Sequence, residues 1–301
     1  MAEPRPPLAE RLRRALRWGE AFGIALALGL FRLLPLDAAS GLSAFLCRRL
    51  GPLLPVSRFA RRNLRKVFPE KSEAERARIL RGMWDNLGRI FAEYAHLDAF
   101  EIYGRERRVE VVNAEEIDRL RDDGRPGIFF SAHLGNWELG GRTAVQRGLP
   151  ITLVYRAPNN PLVDALLRRA RGAASVGLLP KGSEGGKRAL AVLQEGGHIG
   201  ILVDQKMNDG IAVPFFGRPA MTAPALARLA LRFDCPVVPA RVERLRGSRF
   251  RITVYPPLAI AKSGDRQADT LAIMMRVNAM IEGWIRERPE QWLWLHRRWP
   301  E

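Results

Sequence analysis

The chain has 301 residues, room for one large domain or two small ones, and 47% of them are hydrophobic, which excludes bulk disorder and predicts a sizeable core. Lys and Arg number 49 against 32 Asp and Glu, a formal net charge of +17 that favours a polyanionic partner: nucleic acid, anionic lipid or an acidic protein. Cys47 and Cys235 lie far apart in apolar surroundings and exclude a disulfide framework, and His96, His133, His198 and His296 lack metal-ligand spacing, so no metal and no cofactor is expected.

The N-terminus is arginine-rich (Arg5, Arg11, Arg13, Arg14, Arg17) and runs into the apolar stretch Ala21 to Phe31, which Arg32 interrupts and Leu33-Leu34-Pro35-Leu36 extends. The uncharged core is 11 residues, short of the roughly 20 that cross a bilayer. With Glu20 and Arg32 at the interfaces it makes a marginal span. Three readings compete: a cleaved signal with a weak site at Ala38-Ala39, a membrane anchor that spans or lies in the interface, and a buried core helix. The flanking arginines favour membrane association. The expected division is therefore 1–36, basic N-terminus and membrane-associated helix, and 37–301, one domain. Residues 37–95 read as helical, with Ser72-Glu73-Ala74-Glu75 as a capping box opening a helix to about Tyr94. From about residue 109, short β-branched or aromatic runs appear at 126–131, 151–156, 199–203, 236–242 and 249–255. Helical stretches separate most of them at 136–147, 160–171, 185–195 and 221–233, and a last helix spans about 267–287. Alternation of this kind predicts an α/β fold with a mixed central sheet flanked by helices, and the closing pair of strands an antiparallel hairpin.

The most informative stretch is Ser131-Ala132-His133-Leu134-Gly135-Asn136-Trp137-Glu138. His133 closes the apolar run Gly127-Ile128-Phe129-Phe130, at the strand end where open α/β sheets bind ligands. Asn136 is suited to cap a helix whose first turn holds Glu138. Were Glu138 to accept from one ring nitrogen, the other would remain a base near neutral pH. The same spacing fits a structural histidine pinned by a carboxylate. Asp204, ending the run Ile199–Val203, is either a site acid or a turn cap. Arg156, between a strand and a turn, is a phosphate-binding candidate. Arg171 with Arg168 and Arg169 also reads as a solvated helix face. Asn159-Asn160-Pro161 reads as a turn that caps the next helix. Pro214-Phe215-Phe216-Gly217 is an apolar loop that borders the site or packs in the core. Arg297 and Arg298 beside Trp292, Trp294 and Trp299 either bind headgroups or belong to a packed tail. Lys181 to Lys187 is no phosphate loop: three residues, not four, separate Gly182 from Gly186, and Arg188 replaces the magnesium-binding hydroxyl.

Five ordered blocks carry a family resemblance: His133-Leu134-Gly135-Asn136-Trp137-Glu138; Val154 to Leu162 with Arg171 in the helix after it; Val203-Asp204-Gln205; Val213 to Thr222; and Gln291 to Trp299. Together they resemble the late acyltransferases of lipid A biosynthesis, in the lysophospholipid acyltransferase-like superfamily, over roughly residues 20–299. The resemblance implies a single acyltransferase domain moving an acyl chain from acyl carrier protein to a hydroxyl of an anionic glycolipid. It implies His133 as general base, Glu138 as its orienting partner and Arg171 as substrate or oxyanion ligand, with Asp204 at the site. It also implies an inner-membrane location with the site facing the cytoplasm. An acyl-coenzyme A-dependent mannolipid acyltransferase is the nearest alternative, and a non-catalytic membrane protein a more distant one. The dispersed arginines, clustered only at 11–17, 61–66 and 168–171, argue against a nucleic-acid partner.

Overall fold

A computed structural model describes residues 8–106, 108–171, 177–180 and 182–299. Arg5 and Lys181, both part of the sequence reading, lie outside them. The N-terminal third is helical: α1 (Leu8–Arg32), α2 (Leu36–Leu50), α3 (Ser57–Val67) and α4 (Glu73–Glu93). The capping box at Ser72 forms in full. Its Oγ accepts from the Glu75 N–H at 3.3 Å, and the Ser72 N–H donates to Glu75 Oε2 at 2.8 Å, satisfying two otherwise orphaned donors. Among the described residues no helix is long and apolar enough to cross a membrane. Helix α1 is tied to the domain at its middle and at its C-terminal end. Asn160 Nδ2 donates to Arg17 O at 2.8 Å, and Arg32 forms a double hydrogen bond with Asp98 at 2.6 Å.

The remaining elements follow as β1 (Val109–Val112), α5 (Glu115–Asp122), β2 (Gly127–Ser131), α6 (Glu138–Gln146), β3 (Ile151–Tyr155), α7 (Pro161–Arg171), β4 (Gly177–Pro180), α8 (Ser183–Gln194), β5 (His198–Leu202), β6 (Ile211–Phe215), β7 (Arg218–Thr222), α9 (Ala225–Phe233), β8 (Val237–Arg246), β9 (Arg249–Val254) and α10 (Arg266–Glu287). Seven strands make one sheet, in the order β1-β9-β8-β2-β5-β3-β4. Its pairings are parallel except for the predicted β8–β9 hairpin. The expected mixed α/β sheet is therefore present. β6 and β7 form a separate antiparallel hairpin in a segment the sequence reading left as loop, because Pro214 and Pro219 interrupt any strand pattern. The largest cluster packs the sheet face bearing Ile128, Phe130 and Ile199 against α4, α9 and α10, with the Phe130 ring stacked on Trp284. A second cluster, with Phe129, Ile151 and Val238, lies towards α5 and α6.

Candidate active site

β2 and β5 are parallel neighbours in which Ser131 partners Leu202. His133 and Asp204 each lie two residues beyond that pair, so strand register alone sets them side by side at the carboxyl edge of the sheet. Asp204 is completely buried, and its oxygens are all occupied. Oδ1 faces His133 Nδ1 at 2.8 Å, and Oδ2 accepts from the His133 backbone N–H at 2.9 Å and the Trp292 indole N–H at 2.7 Å. A carboxylate only accepts, so Nδ1 carries the proton and Nε2 keeps its lone pair. Gln205 Nε2 lies 3.3 Å from that lone pair. Burial acts to raise the Asp204 pKa. The charge and hydrogen bonds of His133 act against burial more strongly, holding this carboxyl below the usual carboxylate range.

Glu138 is directed elsewhere, so the expected contact between its carboxylate and the imidazole is not the one formed. Its Oε1 accepts from the Tyr94 hydroxyl and, at 2.9 Å, from Arg171 Nη2, while Oε2 accepts from Arg171 Nε at 2.8 Å. The carboxylate opens α6 and turns towards α7, and the ring nitrogen it was expected to hold is taken by the strand-end acid. Arg171 is thus no solvated-face residue. Its guanidinium sits 4.5 Å from the Tyr155 ring centroid and 5.8 Å from that of Tyr94. Burial opposes its charge, but the Glu138 carboxylate outweighs that and keeps its pKa above the ordinary value. Its Nη1 is buried with no hydrogen-bond partner among the described residues, a donor left available to a ligand. Tyr94, buried against the same carboxylate, is pushed well above its usual pKa. It therefore stays a neutral donor.

The loop between β2 and α6 is braced from behind. Gly135 has φ +54°, and a Cβ there would stand 2.6 Å from Val242 O, so only glycine fits. Asn86 Nδ2 donates to Gly135 O at 3.0 Å, and the Leu293 N–H to His133 O at 3.2 Å. The N-cap position of α6 is Trp137, not Asn136. Asn136 sits one residue earlier, where Oδ1 accepts from the Glu138 N–H at 3.3 Å. Asn160 does cap α7, accepting from the Leu162 N–H at 3.1 Å.

His133, Gln205, Trp137, Glu138 and Arg171 line one cavity of about 340 Å³. It continues inward along Phe129, Ile151, Leu153, Ala240, Ile252 and Val254 to become apolar, with Gly140 and Gly141 of α6 on its wall. Polar groups at one end of an apolar slot are the usual make-up of a small-ligand site. Arg156 lines the same cavity and is exposed. Phe215 and Phe216 belong to the core, where Phe215 stacks on Trp299 with centroids 5.7 Å apart. Arg298 is buried and donates to Met221 O and Thr222 Oγ1, both at 2.8 Å, so it binds no headgroup. Tyr94 escaped the sequence reading because nothing local marks it. Trp292 lay in a quoted block, yet its bond to Asp204 spans 88 residues.

Comparison with known proteins places the chain in a family. A family profile described as bacterial lipid A biosynthesis acyltransferase matches residues 6–301. The chain is 28% identical over 297 residues to the lipid A biosynthesis myristoyltransferase of Escherichia coli (strain K12), covering 96% of this chain and 89% of that protein. It is 28% identical over 250 residues to the lipid A biosynthesis lauroyltransferase of the same organism, covering 80% and 78%. It is also 25% identical over 245 residues to the phosphatidylinositol mannoside acyltransferase of Mycolicibacterium smegmatis, covering 79% and 78%. The chain belongs to the bacterial lipid A biosynthesis acyltransferase family.

Proposed function

We propose that this acyltransferase moves a fatty acyl chain from the thioester of acyl carrier protein to a hydroxyl of a lipid A precursor, at the cytoplasmic face of the inner membrane. His133 Nε2 takes the proton of the acceptor hydroxyl while its oxygen attacks the thioester carbonyl carbon. The tetrahedral oxyanion collapses, the C–S bond breaks, and the imidazolium returns its proton to the departing thiolate, leaving an ester and a thiol. Asp204 holds the ring in the required tautomer and stabilises the imidazolium, as the triad carboxylate does. Arg171, positioned by Glu138 and Tyr94, donates to the developing oxyanion. Arg156 binds an acceptor phosphate, and the apolar end of the cavity takes the acyl chain.

The observation that carries this reading is the His133–Asp204 pair opening on an apolar cavity. The test is acylation by purified protein supplied with acyl-acyl carrier protein and a lipid A precursor, read by lipid mass spectrometry. The mass gained reports chain and acceptor together. His133→Ala is expected to lower turnover by about 10²–10⁴-fold with folding intact; a wild-type rate would remove the general base. Similarity to the mannoside acyltransferase supports a second reading, acyl transfer to a mannolipid from coenzyme A. A product mass found only with those substrates would select it.

A further inference from the structure

α2 is built inside out. The face it packs on α4 consists of small residues, Ala39, Ser40, Ser43 and Ala44, all buried, with Ser43 Oγ donating to Gly88 O at 2.7 Å. Apart from Leu36, which is buried at its start, its large apolar residues point away from the protein. Leu42, Phe45, Leu46 and Leu50 follow helical spacing and continue into Leu53, and these five are between 43% and 78% exposed. In water the arrangement is normally reversed. Small residues between helices with large ones outward is how helices pack in lipid.

A basic fringe borders this stripe. Arg48 and Arg49 end α2, and α3 buries Ser57, Ala60, Asn63, Leu64 and Val67 while turning Arg58, Arg61, Arg62 and Arg65 outward. With Lys66 and Arg218 these four line a concavity of about 430 Å³ whose described lining is basic throughout, and Arg65 is paired with Glu73 at 3.0 Å. An apolar stripe edged by cations complements a bilayer with anionic headgroups. α1 bears a comparable exposed stripe, Leu12, Leu16, Phe22, Leu26 and Leu30.

We propose that the α2–α3 face, residues 42–66, is a membrane-docking surface in its own right. Leu42, Phe45, Leu46, Leu50 and Leu53 enter the acyl-chain boundary, and the α3 arginines bind anionic headgroups. The contact with lipid therefore continues past the N-terminal helix into the body of the domain. It concerns lipid binding and not turnover, so it stands or falls apart from the acyl-transfer reading.

The test is flotation of the full chain with vesicles of phosphatidylcholine, with or without phosphatidylglycerol. Replacing Phe45, Leu46, Leu50 and Leu53 by Ser is expected to lower partitioning at least tenfold on both. Replacing Arg58, Arg62 and Arg65 by Gln is expected to lower it only with phosphatidylglycerol and to flatten its salt dependence. Wild-type partitioning of the Ser variant overturns the proposal, as does a result in which that variant only turns a dimer into a monomer, which assigns the stripe to a second copy. A Gln variant that binds vesicles normally but reacts poorly with acyl-acyl carrier protein removes the headgroup role and gives the arginines to the carrier. If the Ser variant fails to fold, lipid-borne photolabelling of wild-type protein decides: adducts within 42–53 are expected, and adducts confined to 8–33 overturn the proposal.

Discussion

At the scale of single residues, two carboxylates divide the work that one seemed placed to do. Asp204 meets the histidine, and Glu138 meets the arginine. The division is testable because the two should fail differently. Asp204→Asn places an amide against Nδ1 and favours the wrong ring tautomer, so kcat is expected to fall by about 10³–10⁴-fold with KM little changed; steady-state kinetics reads this directly. Glu138→Gln leaves the His133–Asp204 pair in place and should act mainly on stability. It strips a half-buried arginine of its counter-charge, a loss of at most about 3–5 kcal/mol, the figure for fully buried pairs. Calorimetry should show a clear fall in Tm. A Glu138→Gln/Arg171→Gln double variant should be less destabilised than the sum of its single changes.

At the scale of elements, α6 carries consecutive glycines that weaken it, since each costs about 1 kcal/mol relative to Ala in a helix interior. Both line the cavity, and a Cβ at Gly140 would meet only Val242 Cγ2, at 3.7 Å. The helix gives up intrinsic stability and the cavity gains width. Gly140→Leu is therefore expected to keep the fold while shifting preference to shorter acyl donors, read as rates across a chain-length series. Elements with a local signal were legible in the sequence: the capping box of α4, the apolar runs of β2, β3 and β5, and the β8–β9 hairpin. The short strands β1, β4, β6 and β7 were missed. β4 is four residues ending in a proline, and each strand of the β6–β7 hairpin contains a proline. Tertiary packing outweighs propensity in such segments.

At the scale of the whole molecule, buried titratable groups make stability depend on pH. Burial lowers the His296 pKa to about 4, from an ordinary value of 6.5. The unfolded chain therefore binds a proton between those values that the folded protein does not, and stability falls on acidification through this window. The full effect is on the order of 3 kcal/mol. His198, lowered by burial too, acts in the same sense. Asp204, held below its usual range, contributes stability that is present above the unfolded carboxylate pKa and lost at more acid pH. His296→Asn, which keeps a donor near the position bonded to Leu293 O, is expected to flatten the decline of Tm between pH 6.5 and 4. An unchanged slope would mean the ring does not carry it.

The strands β2, β3, β5, β8 and β9, the helices that separate most of them, the placing of His133 at a strand end and the family all follow from the sequence alone, because each rests on patterns within a few residues or on ordered blocks. Which acid holds the imidazole was decided only by the fold. Glu138 is five residues from His133 in the chain and Asp204 is 71, yet the parallel pairing of β2 with β5 brings the distant one to 2.8 Å. Adjacency of strands in a sheet is set by crossover topology and core packing, neither of which any local spacing records.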